Sequence, residues 1–238
     1  MKKILSVFFL ICFSHALYAQ TMDMIDMNNL MVEYKSIKSL EDSNLDNIGG
    51  SPYLTADYIS SVVYFKNNQK PVSADLRFNA YSNEFEFTMN GQRFVISNAM
   101  DIDSIRYMDH TFIYGEYINE YGRKENAFMA KLAEGKCRMY KIHLIEFYEE
   151  KPPQSGYDEF EPAHFDQGDP VYCLQCDQDQ PPKAIESFRR RKFLENFESG
   201  REEHMDFIRE HRLRLYKEED LLKFMNYYNA NARKNHHK

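Results

Sequence analysis

The segment Ala74–Ser97, with the sequence ADLRFNAYSNEFEFTMNGQRFVIS, decides the fold class that this chain predicts. Apolar and polar residues alternate from Asp75 to Ala80 and from Glu84 to Met89, and Phe94 and Ile96 continue the same period. Such alternation is typical of strands with one buried face, because successive side chains point to opposite faces of a sheet. Tyr81–Asn83 fits a first turn, and Asn90-Gly91 favours a two-residue hairpin turn. The segment therefore predicts a three-stranded antiparallel meander.

Strand patterns continue on both sides of this meander. The additional predicted strands are Ser61–Phe65, Ile102–Tyr107, Thr111–Ile118, Glu125–Leu132, Lys136–Tyr148, Val171–Gln175 and Lys183–Glu186. Within Lys136–Tyr148 the apolar phase changes between Leu144 and Ile145, which indicates a bulge or a strand end buried on both faces. The Pro- and Gly-rich segment Lys151–Pro170 carries aromatic residues, so we expect an ordered extended crossing over the sheet.

The C-terminal part predicts three short helices. Ser187 and Ser199 are the expected caps of the first two, and the acidic residues Glu218–Asp220 begin the third. The end of the chain, Asn229–Lys238, is expected to fray. The apolar residues expected to share one core docked against the sheet or the crossing are Phe193, Phe197, Ile208, Leu221 and Met225. The predicted class is α+β: an antiparallel meander, as a sandwich or partly open barrel, followed by a three-helix region.

The first residues have the pattern of a secretory signal peptide. Met1–Lys3 is basic, Ile4–Phe13 is largely apolar, and small residues stand at Ala16 and Ala19. An uncleaved membrane anchor is the alternative, but it needs about twenty apolar residues. We expect cleavage before Gln20 and an exported protein, whether periplasmic, outer-membrane-associated or extracellular. The later chain carries no further apolar segment of spanning length.

This pattern divides the chain into four regions. They are a signal peptide (1–19), a helical or loosely ordered segment (20–50), an antiparallel β domain (51–186) and a helical subdomain (187–238). The formal net charge is −7, yet the region from Lys183 onward carries an excess of Lys and Arg. Acids and bases interleave there, which is typical of solvated helix faces. The basic run Arg189–Lys192 is interpreted in the same way, and no nucleic-acid partner is expected.

Three cysteines remain after cleavage: Cys137, Cys173 and Cys176. An odd number in an exported chain predicts at least one free or intermolecular thiol. Cys173 and Cys176 have the spacing of a redox or metal pair, but neither a helix start nor a second pair accompanies them. The sequence therefore predicts no functional pair at this position.

The remaining candidates for chemistry are two groups of carboxylates and several histidines. Asp42–Asp46 places oxygen ligands at alternate positions without the glycine and glutamate of a calcium loop. Asp166, Asp169, Asp177 and Asp179 form a second oxygen-rich group, and turn propensity explains both groups. His143, His204 and His211 belong to no known catalytic motif and are interpreted as surface or hydrogen-bonded structural residues. No cofactor, metal or catalytic residue is predicted.

Three segments carry a resemblance to a known family. They are Gly50–Leu54, Leu76–Glu86 and Glu218–Asn229, and they resemble a family of uncharacterised secreted proteins from Bacteroidetes-type bacteria. The resemblance spans most of the mature chain and implies a Gram-negative envelope or secreted setting. It implies no activity, cofactor or site residue.

The sequence favours a noncatalytic binding or scaffolding protein with an unknown protein or envelope partner. The alternative is a secreted hydrolase-type enzyme whose site is assembled from residues distant in sequence. A pocket that brings His143 or His110 within hydrogen-bond reach of a carboxylate and a hydroxyl or thiol would favour the enzyme.

Overall fold

The structure, a computed structural model, describes residues 48–66, 69–89, 92–96, 99–153, 159–197 and 200–235. Within these residues the chain forms a ten-stranded sheet, a two-stranded sheet and three α-helices. The predicted signal peptide, the Asp42–Asp46 group, the Asn90-Gly91 turn and the Ser199 cap lie outside the described residues.

Strands dominate the first part of the described chain. They are β1 (Ile59–Phe65), β2 (Val72–Asn79), β3 (Glu84–Met89), β4 (Gln92–Val95), β5 (Ile102–Tyr107), β6 (His110–Ile118), β7 (Lys124–Ala133), β8 (Arg138–Ile142), β9 (Ile145–Tyr148), β10 (His164–Gln167), β11 (Val171–Gln175) and β12 (Lys183–Ala184). The order in the large sheet is β12-β11-β8-β7-β6-β5-β1-β2-β3-β4, and these neighbours are all antiparallel. The predicted α+β class is confirmed.

One end of this sheet closes on itself. β12 pairs in parallel with β6 where Lys183 faces Ile118, and the Ile118 N–H donates to the Pro182 carbonyl at 2.8 Å. The strands β6, β7, β8, β11 and β12 thereby form a closed five-strand ring. All five contribute side chains to one buried cluster, the ring core: Tyr117, Ala127, Met129, Tyr140, Ile142, Cys173 and Ala184.

The other strands, β1 to β5, form a curved extension that covers part of the ring's outer face. Its aromatic core joins Phe78 and Phe85 with Phe112 and Phe128 of the ring strands. The Phe85 ring is fully buried and lies 4.7 to 5.3 Å from the rings of Phe78, Phe112, Phe128 and Tyr107. Continuous aromatic packing therefore joins the curved extension to the ring.

A buried ion pair lies on the opposite face of β2 and β3. Arg77 Nη2 contacts Glu86 Oε2 at 2.9 Å, and Asn79 Nδ2 donates to Glu86 Oε1 at 3.3 Å. The Arg77 guanidinium lies 3.5 Å above the Tyr53 ring and 4.6 Å above the Tyr58 ring. Burial, followed by the nearby Glu86 charge, raises the pKa of Tyr53 to about 12. These cation–π contacts fasten the chain before β1 to the sheet.

The first helix begins later than the sequence predicted, whereas the third begins at Glu218, as predicted. The first, α1 (Arg190–Phe193), continues as a 3₁₀ turn (Leu194–Asn196) and has no side-chain cap. Ser187 is not its cap: the Ser187 Oγ accepts a 3.3 Å hydrogen bond from the Arg189 N–H, before the helix starts. The second helix, α2 (Arg201–Glu210), has Gly200 at its N-cap position, and the third is α3 (Glu218–Asn235).

The predicted docking of the helices on the sheet is confirmed. The helical core contains all five of the predicted residues, Phe193, Phe197, Ile208, Leu221 and Met225. It also contains Met139 of β8 and Leu174 of β11, whose side chains point away from the ring core. Each helix carries few apolar residues, so burial against the sheet supplies part of the apolar contact that it needs.

The expected fraying from Asn229 onward is wrong. The helix α3 continues to Asn235, and Asn229 is buried. Its Oδ1 accepts from the Cys137 N–H at 3.0 Å, while its Nδ2 donates to the carbonyls of Cys137 and Glu134 at 2.9 and 3.3 Å. Gly135 has φ of +150°, and a Cβ there would lie 2.5 Å from the Asn229 side chain. Asn229 thus fastens α3 to the β7–β8 turn.

A two-stranded arm interrupts the ring strands. The predicted strand Lys136–Tyr148 is divided at His143-Leu144 into β8 and β9, which explains the change of apolar phase. β9 leaves the large sheet and pairs with β10, a strand within the segment that was expected to be only an extended crossing. Gly49 continues the arm by a parallel bridge to His164.

Candidate functional site

A cavity of about 580 Å³ lies at one end of the five-strand ring. Its lining comes from the β6–β7 turn (119–123), from Tyr117 and Glu125 beside that turn, and from segments 169–172 and 184–188. This ring-mouth cavity has the volume of small-molecule sites, which range from about 300 to 1,000 Å³ and often lie in the mouths of closed sheets.

The β6–β7 turn is held rigidly by one side chain. Asn119 Oδ1 accepts from the N–H groups of Tyr121 and Arg123 at 3.0 and 2.9 Å. Gly122 adopts φ of +76°, a left-handed conformation that glycine takes without strain. The turn therefore presents Tyr121, whose side chain is 76 % exposed, at the edge of the cavity.

The carboxylate of Glu125 is fixed on both of its oxygens. The Tyr117 hydroxyl donates to Oε2 at 2.8 Å, and Asn119 Nδ2 donates to Oε1 at 2.7 Å. Burial, with the hydrogen bond to Glu125 as the next cause, raises the pKa of Tyr117. Both donors are neutral groups, and together they fix the orientation of the Glu125 carboxylate.

Aromatic side chains form the wall opposite the turn. The rings of Tyr172 and Phe188 meet edge to face with centroids 6.0 Å apart, and both line the cavity. The Tyr172 hydroxyl donates to Glu218 Oε2 at 2.8 Å, and Lys141 Nζ contacts the same oxygen at 2.6 Å. Because these bonds fix the end of Tyr172, the first residue of α3 helps to shape the cavity.

The charge of Glu218 is maintained by the same contacts. Burial acts to raise the pKa of Glu218, but the hydrogen bonds from Lys141 and Tyr172 hold it below its ordinary value. Burial, followed by the hydrogen bond to Glu218, raises the pKa of Tyr172. The cluster therefore keeps one carboxylate ionised and one phenol neutral at physiological pH.

His143 lines a second cavity of about 210 Å³ between the arm and the large sheet. It is 9 % exposed and stacks beside the Phe112 ring, with centroids 6.0 Å apart and planes inclined by 28°, and its Nε2 has no hydrogen-bond partner. Burial, with the nearby Lys141 and His110 charges, lowers the pKa of His143 to about 4. Within the described chain, no carboxylate, hydroxyl or thiol is hydrogen-bonded to this nitrogen of His143.

Two of the three cysteines form a disulfide, and the third is a free thiol. Cys137, just before β8, and Cys176, just after β11, form a disulfide, a pairing that the sequence did not predict. Cys173 is the free thiol, buried in the ring core. Burial raises its pKa to about 12, which keeps the thiol protonated and unreactive. The Cys173–Cys176 spacing thus reflects a strand end at which the two side chains enter different cores.

The other sequence candidates have local roles. Asp177 Oδ1 accepts from the Asp179 N–H at 3.0 Å, the side-chain bond of a turn. His204 is buried beside the rings of Phe197 and Tyr228. The basic run Arg189–Lys192 is exposed. Across the described ranges, no three His, Cys, Asp or Glu side chains are grouped to hold a metal ion.

Sequence reasoning missed the residues of the ring-mouth cavity. Tyr117 and Glu125 belong to predicted strands, and Tyr121 and Arg123 belong to a predicted turn, but none was singled out. The closure of β12 on β6 brings them beside segments 169–172 and 184–188. One signal was available: Tyr121 is a large aromatic residue in a tight turn, where packing gives no reason for it.

Comparisons with family models, with curated proteins and with solved structures found no match to this chain. The family resemblance of the three segments therefore stays a prediction. None of the helices in the described part of the chain has the length and apolar character needed to cross a membrane.

Proposed function

We propose that this protein is an exported, noncatalytic binding protein that holds a small ligand in the ring-mouth cavity. The observation that carries the proposal is the cavity itself, in which a fixed carboxylate, an exposed tyrosine and an aromatic wall converge. Concave sites with apolar walls and few oriented polar groups are the usual form of ligand sites. The hydrolase alternative is not proposed, since nothing in the described residues favours it.

The disulfide supports the export part of the proposal. Cys137 and Cys176 are separated by 39 residues and are joined in the folded chain. Disulfides persist in exported proteins and are rare in reducing cytosol. N-terminal sequencing of periplasmic, outer-membrane and culture fractions should find Gln20 as the first residue. An intact Met1 form confined to the cytoplasm would contradict export.

Thermal shift with a panel of small molecules tests the binding part. A ligand that binds only the folded state raises the melting temperature in a concentration-dependent way. We expect at least one compound to stabilise the wild-type protein and to lose this effect in Tyr121→Ala. Tyr216→Ala is the matched control, because Tyr216 is 63 % exposed and does not line the cavity. Equal stabilisation of both variants would contradict a site at the ring mouth.

A further inference from the structure

We propose that the ligand of the ring-mouth cavity is an organic cation, an ammonium or guanidinium compound with an apolar body. This inference rests on the proposed binding function and adds the chemical class of the ligand. Two independent properties of the lining carry it: its excess of carboxylates and the electron-rich aromatic faces beside them.

The lining charges favour a cation. Four carboxylates line the cavity, those of Glu120, Glu125, Asp169 and Glu186, whereas Arg123 is the lining cation. Glu186 is paired with Lys183 at 2.8 Å and with Lys192 at 4.0 Å, whereas Glu125 is held by a hydroxyl and an amide, both neutral donors. Even with Lys183 and Lys192 included, the four carboxylates outnumber the three positive groups, so an anionic ligand would meet net repulsion.

The aromatic lining has the same preference. A cation over the face of a tyrosine or phenylalanine ring is attracted by the ring quadrupole, most strongly where water is excluded. Tyr117 and Tyr172 are themselves buried, so the ring faces accessible to a ligand are those of Tyr121, which is 76 % exposed, and of Phe188, which is half-buried. The Tyr121 hydroxyl is hydrogen-bonded to the Glu120 carboxylate. These two rings therefore add to the attraction that the lining carboxylates exert on a cation.

The volume and apolar lining of the site indicate that the ligand has an apolar body beside its charged group. About 580 Å³ exceeds the space that an inorganic cation fills, and Val171, Ile185 and Phe188 add apolar surface. In the described residues, no group of side chains has the composition of a metal site. A ligand with a cationic head and an apolar body satisfies both the carboxylates and the apolar wall.

Calorimetric titration of the full exported chain tests the inference with choline, agmatine and 3,3-dimethylbutan-1-ol, the neutral isostere of choline. We expect choline or agmatine to bind and the isostere to bind at least about tenfold more weakly. Glu125→Gln keeps the hydrogen-bond acceptor but removes the charge, and it should weaken cation binding about fivefold or more. Glu202→Gln, on the exposed surface of α2, should leave the affinity unchanged.

The outcomes separate this inference from the proposed function. Isostere binding as tight as that of choline would overturn the cation class while the cavity remains a ligand site. The cation class is also overturned if neither cation binds but the thermal-shift panel still yields compounds whose effect Tyr121→Ala abolishes. If Glu125→Gln fails to fold, Phe188→Leu takes its place, and it should weaken the binding of choline more than the binding of the isostere. If neither the titrations nor the thermal-shift panel detects ligand binding, the proposed binding function is overturned as well.

Discussion

The five-strand ring and the curved extension belong to one sheet but are stabilised in different ways. The extension is filled by close aromatic contacts, with Phe78, Phe85 and Phe87 fully buried. The ring is joined by separate links between distant parts of the chain: the Cys137–Cys176 disulfide, the Asn229 hydrogen bonds and the β12–β6 bridge. Close packing leaves no space for a ligand, whereas a linked ring holds its shape around an open mouth. Under the proposed function, stability would come mainly from the extension and binding from the ring.

The largest expected effect is the loss of an aromatic side chain from the extension. Phe85→Ala removes a ring with four aromatic neighbours and leaves a cavity that rigid strands cannot refill. We expect the free energy of unfolding to fall by about 3 to 5 kcal/mol. Urea denaturation measures it, and Phe160→Ala, at a side chain that is 55 % exposed, is the control. If the free energy of unfolding fell by less than about 1 kcal/mol, aromatic packing would not be the main source of stability in the extension.

The disulfide is the next strongest link. Cys137→Ala with Cys176→Ala opens a loop that spans 39 residues, and the chain-entropy estimate of the loss is about 4 kcal/mol. Native-state hydrogen exchange should be faster in this double variant than in the wild-type protein, mainly in β8, β11 and α3. Cys173→Ala is the matched control, because Cys173 forms no disulfide. If exchange also became faster by the same factor in β1 to β5, the ring and the extension would not be stabilised independently.

Asn229 should have a smaller effect that is confined to the ring and α3. Asn229→Ala leaves the Cys137 N–H and carbonyl buried without partners, which we expect to cost about 2 to 3 kcal/mol. Asn226→Ala, at an exposed position of the same helix, should change stability by less than about 0.5 kcal/mol. Urea denaturation of the two variants compares them directly. Equal losses would show that helix propensity, and not the hydrogen bonds, explains the effect.

The smallest expected effect is a pH dependence at the junction of the ring and the arm. The pKa of His143 is about 4 in the folded chain and near 6.5 when unfolded, so the unfolded state gains the proton first as pH falls. This contribution to stability is complete above pH 6.5 and is lost between pH 6.5 and 4. With partial screening at the cavity we expect a loss of about 2 kcal/mol. Denaturation at several pH values should show that the free energy of unfolding depends less on pH in His143→Phe than in the wild-type protein. An equal pH dependence in both proteins would contradict the assignment of this effect to His143.

The strands of the extension were predictable from sequence because the alternation and turn residues that indicate them are local signals. Alternation and turn residues gave β3 and β5 with the bounds that the structure has. The ring was less predictable because its closure depends on residues far apart, such as Ile118 with Pro182 and Cys137 with Cys176. Asn229 had the appearance of a fraying helix end, since nothing local reveals its partners on the β7–β8 turn. The site shares this limitation, because its lining is assembled only when β12 meets β6.

Amide chemical-shift mapping tests the central claim, that the ring mouth is the binding half of the molecule, most directly. The compound with the largest thermal shift is titrated into ¹⁵N-labelled protein. The structure predicts shifts concentrated in segments 117–125, 169–172 and 184–188, with β1 to β4 unaffected. Shifts centred on the smaller cavity beside His143, or spread over the curved extension, would contradict the claim.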